Sequence, residues 1–431
     1  MNLHRRVPQP RSADEIAARA RSRKLNIEAK YGNPSSSRKR SSGENLIVNQ
    51  DADSSFFGSV AVGTPPVAYD VILDTGSADL WLASSSCTDS ACQGLATFDS
   101  SSSSTFQSTL GQDIVQMAGF SVQNQVFAVC DSVSADLLTN PVSGLMGLAF
   151  QTIASSGATP LWETLASSSA WTDQLMAFQL TRYNNVSNAQ SLEPGGHSLW
   201  VGAVNTSLYT GDIDYNDIPD GDATYWLQTI SAITSQGGSI SVPSGSNALA
   251  AIDTGTTLIG GPSDAIAAIY ANIPNSQAGT GNLEGYYIYP CSTTVNVTMS
   301  FGGQSWPISN ADFQAEQLND ETCMGAFFSL STGSNAPAWI VGDTFLKNVY
   351  SVFRYNPPSV GFAQLSETAL GMNGVSNAAV PSATVGSAAA TVSATSTGSR
   401  ESNHNSALSL SSSPLLLPIP IIAMSMLYLL I

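Results

Sequence analysis

The chain writes one pattern twice. An apolar run ends in Asp-Thr-Gly-Ser at "VILDTGSADLWL" (71–82) and in Asp-Thr-Gly-Thr at "ALAAIDTGTTLIGG" (248–261). Each copy is followed by an apolar pair and a glycine. Gly147 in "SGLMGLAF" lies 73 residues after Asp74, and Gly342 in "AWIVGDTF" lies 89 residues after Asp253. A single Asp-Thr-Gly is a natural β-turn and constrains little. Two copies, each fed by a strand-like run and trailed at similar distance by the same signal, read as an internal duplication. They also set two carboxylates, Asp74 and Asp253, in apolar surroundings where a lone charge is costly.

The 431 residues suffice for two or three domains. From Gly43 to about Leu365 the chain reads as all-β. Runs such as "SSFFGSVAVG", "QLMAFQLTR", "HSLWVGAV" and "VYSVFRY" are separated by Gly, Ser, Asn and Pro. The clearest helical period is "SDAIAAIYANI", with Ser263 or Asp264 expected as its cap. Residues 368–413 are rich in Ser, Thr and Ala and read as a flexible stalk.

Charge divides the chain sharply. The first forty residues hold eleven Lys/Arg and three acids, about +8, whereas the rest holds four bases and 29 acids, about −25. So acidic a body repels nucleic acid and anionic membranes, which argues against a nucleic-acid role. Its self-repulsion falls as the acids protonate, which suits an acidic working environment. The basic arm, residues 1–40, ends in Lys39-Arg40 within "SSSRKRSSGEN", a substrate for a dibasic processing enzyme. A removable prosegment held to an acidic body by charge is expected.

Five cysteines are present. Cys87 and Cys92 could close a small loop and Cys291 and Cys323 a longer one, with Cys130 left over. The residues alone leave the connectivity open. Four pairable cysteines suggest an oxidising compartment. Three sequons, at Asn185, Asn205 and Asn296, agree with it. The first twenty residues contain no apolar secretory run, so the chain is expected to begin inside a precursor. Residues 414–431, "PLLLPIPIIAMSMLYLLI", follow the small residues Asn405, Ser406 and Ala407 and a short polar spacer. That order fits a GPI-anchor signal, with a tail-anchored helix as the alternative. A cell-surface or extracellular protein is expected.

The double motif resembles that of the pepsin-like aspartic peptidases, over nearly all of residues 45–365. The resemblance implies an all-β, bilobal fold with a cleft between the lobes, here 41–205 and 206–367. It implies that Asp74 and Asp253 form a catalytic pair hydrolysing peptide bonds at acidic pH. Ser77 and Thr256 would then hydrogen-bond the outer carboxylate oxygens, within turns that also comprise Thr75, Gly76, Thr254 and Gly255. Gly147 and Gly342 would sit in loops bracing those turns. Disulfides Cys87–Cys92 and Cys291–Cys323 fall where the family places them. The implied partner is a polypeptide held extended by a monomeric enzyme, without metal or organic cofactor. Independently, past the basic arm only His197 and His404 remain, too few for Ser-His, Cys-His or zinc-histidine chemistry. His197 reads as a turn residue entering a strand, and Cys130 as a buried thiol.

One segment departs from the family. Its cleft is closed by a β-hairpin flap carrying a tyrosine, which Trp81 would support. Here "SSSSTFQ" runs directly into "STLGQDIV", and no tyrosine lies between Tyr69 and Tyr183. Three readings stay open: a segment lost from the gene reading, a genuinely impaired peptidase, or a surface protein that keeps the cleft for binding.

Overall fold

The computed structural model describes residues 42–106, 111–134, 137–219, 223–333, 336–375 and 390–394. The basic arm with Lys39-Arg40, the junction at 107–110, and the apolar tail lie outside the described residues. Among those described, the chain is predominantly β, as expected.

The sequence duplication is repeated in the topology. In the first half, β2 (Ser55–Val62) pairs antiparallel with β3 (Val67–Asp74), and β3 runs parallel to β7 (Val142–Gly147). Next, β7 pairs antiparallel with β4 (Leu80–Ala83), and β4 runs parallel to β6 (Phe120–Cys130). In the second half the strand Leu227–Thr229 pairs antiparallel with Leu249–Ile252, which runs parallel to Trp339–Val341. That strand pairs antiparallel with Ile259–Gly261, which runs parallel to Phe327–Ser329. Both halves thus alternate antiparallel, parallel, antiparallel, parallel. Each Asp-Thr-Gly follows the second strand of its series, with neighbours on both sides. Such central strands are buried on both faces, which explains the unbroken apolar runs Val71–Leu73 and Leu249–Ile252.

Six consecutive antiparallel strands of one 13-stranded sheet, which continues from the first of them into β2, join the halves. The first half supplies β1 (Gly43–Gln50), β9 (Leu192–Val201) and β8 (Leu175–Leu180). The second half continues with Val349–Arg354, Ser359–Leu365 and β10 (Tyr209–Asp217). One apolar core runs under both halves, with Trp162, Trp226 and Trp339 fully enclosed. The Trp226 indole N–H donates to Leu148 O (2.8 Å) and that of Trp162 to Ala149 O (2.8 Å), so these two rings are packed with their polar atoms satisfied, whereas the Trp339 indole N–H has no hydrogen-bond partner among the described residues.

Two details differ from the sequence reading. The helix expected in "SDAIAAIYANI" forms at Ser263–Ala271, but Pro262 occupies the N-cap position and neither Ser263 nor Asp264 caps it. Pro262 O accepts from Ile266 N–H, and proline has no N–H to satisfy there. The start of the segment expected as a stalk, 368–375, is ordered structure. Ser366 caps a short helix, Glu367–Leu370, and residues 373–375 bind Arg182 and Tyr183. Further on, Ala390–Ser393 is a strand.

Candidate active site

The two Asp-Thr-Gly loops meet where the halves face each other. Gly76 N–H donates to Asp74 Oδ1 (2.8 Å) and Ser77 Oγ to Asp74 Oδ2 (2.5 Å). The other loop repeats this: Gly255 N–H donates to Asp253 Oδ1 (2.8 Å) and Thr256 Oγ1 to Asp253 Oδ2 (2.7 Å). Each carboxylate is almost enclosed, 6% exposed for Asp74 and 8% for Asp253. Charge is tolerated there because every oxygen has a donor.

The threonines lock the loops to each other. Thr75 Oγ1 donates to Ile252 O (2.8 Å) and accepts from Thr254 N–H (3.0 Å). Reciprocally, Thr254 Oγ1 donates to Leu73 O (2.6 Å) and accepts from Thr75 N–H (3.1 Å). Glycine is required next to each threonine by close approach. A Cβ on Gly76 would lie 2.5 Å from the Asp253 carboxyl, and one on Gly255 would lie 2.3 Å from Asp74 Oδ1. Each glycine is therefore the floor on which the opposite carboxylate rests.

Gly147 and Gly342 stand behind the loops. A Cβ on Gly147 would strike the Ala78 backbone at 2.3 Å, and one on Gly342 would meet Thr256 O at 2.0 Å. The adjoining backbone holds the turns, through Leu148 N–H to Asp74 O (2.7 Å) and Asp343 N–H to Thr256 O (2.8 Å).

Burial raises the Asp74 carboxyl well above the usual range, and the Asp253 carboxyl beside it raises it further. The same pair reaches Tyr225, whose phenol is raised by burial and then by the Asp253 and Asp74 charges. A cavity of about 250 Å³ adjoins the second loop at Thr256 and Thr257 and is bounded opposite by the β1–β2 turn.

A residue set that sequence reasoning did not single out lies beside this cavity. Asp53 sits at φ 75° in that turn. It is held by Asn49 Nδ2 (2.6 Å), Tyr183 N–H (2.7 Å) and Lys347 Nζ (2.6 Å). Lys347 also contacts Asp312 (3.0 Å), which takes a two-pronged contact from Arg182 at 2.8 and 2.5 Å. Burial alone would raise the Asp312 carboxyl, but the Lys347 and Arg182 charges overcome it and hold it below its ordinary value. Asp343, one turn from Lys347, is also buried, and its Oδ1 has no hydrogen-bond partner. Burial pushes its carboxyl well up. The available signal was scarcity, since Arg182 and Lys347 are two of only four bases beyond residue 40.

Around the first loop, Trp81 is half-buried against a small cluster that includes Leu145 and Cys92. No hydrogen-bond partner of its indole occurs among the described residues. Phe106 packs on Phe98 and Phe127 at ring separations of 5.5 and 6.2 Å. A Cβ on Gly111 would come within 2.8 Å of the Phe106 ring, so the chain on either side of 107–110 is already in contact. Four residues, 107–110, join the two sides.

The outlying residues are placed as follows. Cys87–Cys92 and Cys291–Cys323 are disulfide-bonded and Cys130 is free and half-buried. His197 lies within β9, opposite Ile47 and Leu180, rather than in a turn. Asn185 and Asn296 are exposed, and Asn205 is half-exposed.

Residues 55–365 match the family model described as eukaryotic aspartyl protease. The chain belongs to the eukaryotic aspartyl protease family. It is 45% identical over 351 residues to major aspartyl peptidase 1 of Cryptococcus neoformans var. grubii serotype A, covering 76% of this chain and 72% of that protein. It is 31% identical over 335 residues to pepsin A of Sus scrofa (73% and 82% covered). An aspartic protease of Phaffia rhodozyma is 30% identical over 379 residues (82% and 88% covered). As an aspartyl protease the chain is a hydrolase of the aspartic endopeptidase type.

Proposed function

We propose that this aspartyl protease cleaves extended polypeptides at acidic pH, using Asp74 and Asp253 as one proton-sharing pair. The observation that carries this reading is the matched setting of the two carboxylates, each with a backbone and a hydroxyl donor and each resting on the other loop's glycine. Two carboxyls this close do not both ionise readily, so one proton is kept between them. One member of the pair holds that proton before substrate arrives. The ionised partner takes a proton from a water lying between the carboxylates, and the water oxygen attacks the scissile carbonyl carbon. The held proton passes to the carbonyl oxygen, giving a gem-diol. Return of a proton to the amide nitrogen then breaks the C–N bond and releases an acid and an amine. No metal or organic cofactor enters this sequence.

The organisation we infer is a basic prosegment, 1–40, cut after Arg40, followed by two β lobes that divide near residue 205. Synthesis through the secretory pathway, with glycans at Asn185, Asn205 and Asn296 and a GPI anchor, is supported by the two disulfides and the exposed sequons. Among the described residues no helix is long and apolar enough to cross a membrane.

A second reading, a surface protein that binds peptides without efficient turnover, is favoured by the four-residue link between Phe106 and Gly111. A lid orders substrate and excludes water, and a chain without one forgoes both. Incubating the processed protein with a denatured substrate at about pH 4, with and without a statine inhibitor, separates the two. Inhibitable cleavage that vanishes in Asp74→Asn supports the peptidase; a substrate that is bound but left intact supports the binding protein.

A further inference from the structure

The strand Ala390–Ser393 lies far along the chain from its partner. It runs parallel to the start of β6, with Ala390 opposite Phe120, Thr391 opposite Ser121, Val392 opposite Val122 and Ser393 opposite Gln123. Ala394 N–H extends the ladder to Gln123 O at 2.9 Å. This end of β6 has β5 (Gly111–Met117) on its other side, so without the tail strand it would be an open sheet edge. The tail alternates as a docked strand should. Ala390, Val392 and Ala394 are half-buried against the main core, while Thr391 and Ser393 face solvent. It also packs near the helix Leu161–Ser167.

We propose that the β6 edge at Phe120–Gln123 is a strand-docking site whose occupant is the chain's own tail. Its ligand class is an extended segment of small and β-branched residues in which every second side chain is apolar. The chain's own connection favours the tail as occupant. Residues 373–375 are pinned to Arg182 and Tyr183, and fourteen residues separate Val375 from Ala390, a reach of up to about 50 Å. The triplet Ala-Thr-Val at 390–392 recurs in the sequence at 383–385, so a variant that tests the strand alters both copies. Docking covers an edge that would otherwise template pairing with other chains. It also fixes where the described chain ends: residue 394 is held beside the β5–β6 hairpin of the first half. This inference is independent of the chemistry at Asp74 and Asp253.

The test uses the full chain carrying Cys130→Ser. Gln123→Cys with Ser393→Cys places two exposed thiols on a paired position. Mild oxidation should join them within one chain, seen as a cross-linked peptide from a protein of monomer mass; a bond formed only between chains, or none, overturns the proposal. Separately, Val385→Asp with Val392→Asp should speed amide exchange at Phe120–Gln123 at least tenfold and leave exchange at Val71–Leu73 and peptidase activity unchanged. Adding the peptide Ala-Ala-Ala-Thr-Val-Ser-Ala-Thr-Ser at about 1 mM, the effective concentration of a short tether, should restore protection. Unchanged exchange in the double variant, or no recovery with the peptide, refutes a docking site.

Discussion

At the scale of single residues, the proposed carboxyl pair has direct consequences for turnover. Asp74→Asn and Asp253→Asn should each lower kcat by about 10⁴-fold or more, since the pair acts as a unit, with circular dichroism unchanged. The pH profile follows from the raised Asp74 carboxyl. Activity should fall on the alkaline side as the shared proton is lost and on the acid side as both carboxyls protonate. A turnover assay from pH 2 to 8 reads both limbs. Asp343 carries a different consequence. Its folded carboxyl holds its proton above the ordinary value, so between the unfolded and folded values the unfolded chain ionises while the native one does not. Stability therefore declines as pH rises through that window. Asp343→Asn removes this titration, and the melting temperature of the variant should fall less from pH 4 to 7 than that of the wild type.

At the scale of elements, the loops and their strands were legible because they are written twice. Asp74, Ser77, Asp253 and Thr256 stand out from local pattern, and β2, β8 and β9 follow from their runs. The helix cap was misread because Pro262 competes with a serine for the same position. The ionic cluster left no local trace, since its members are spread from Asp53 to Lys347 and only the folded sheet gathers them. The tail strand was hidden by composition, because Ala, Ser and Thr also make linkers and its pairing partner lies some 270 residues earlier. The threonine lock between the loops can be tested directly. Thr75→Val keeps shape but leaves Ile252 O and Thr254 N–H without that hydroxyl, at a cost of roughly 3 kcal/mol in urea unfolding. Thr75→Val with Thr254→Val should cost less than the sum of the singles, because the two hydroxyls serve one joint.

At the scale of the whole molecule, the halves are tied by a shared sheet, by the threonine lock and by the buried charges at Asp53, Arg182, Asp312 and Lys347. Lys347→Met removes the cation that Asp53 and Asp312 share and should destabilise the protein by about 3–5 kcal/mol at pH 6. Asp312 has a lowered carboxyl, so its stabilisation is present above the unfolded value and is lost only as pH falls through the lower folded one. The wild type should thus keep this tie into the acid range, and denaturant midpoints of wild type and variant should converge at the lowest pH. The placement of the cations has a further consequence for maturation. Arg182 and Lys347 are locked inside ion pairs, and Arg354 lies 4.2 Å over the Tyr215 ring within a strand. Trypsin should strip the first forty residues and spare every described part of the native body, with a cut after Arg182 or Lys347 in the mass spectrum as the contrary result. On the proposed organisation, a convertase reading basic pairs would find its target at Lys39-Arg40 and no loose cation in the described body, so a single allocation of charge would both mark the leader for removal and spare what remains.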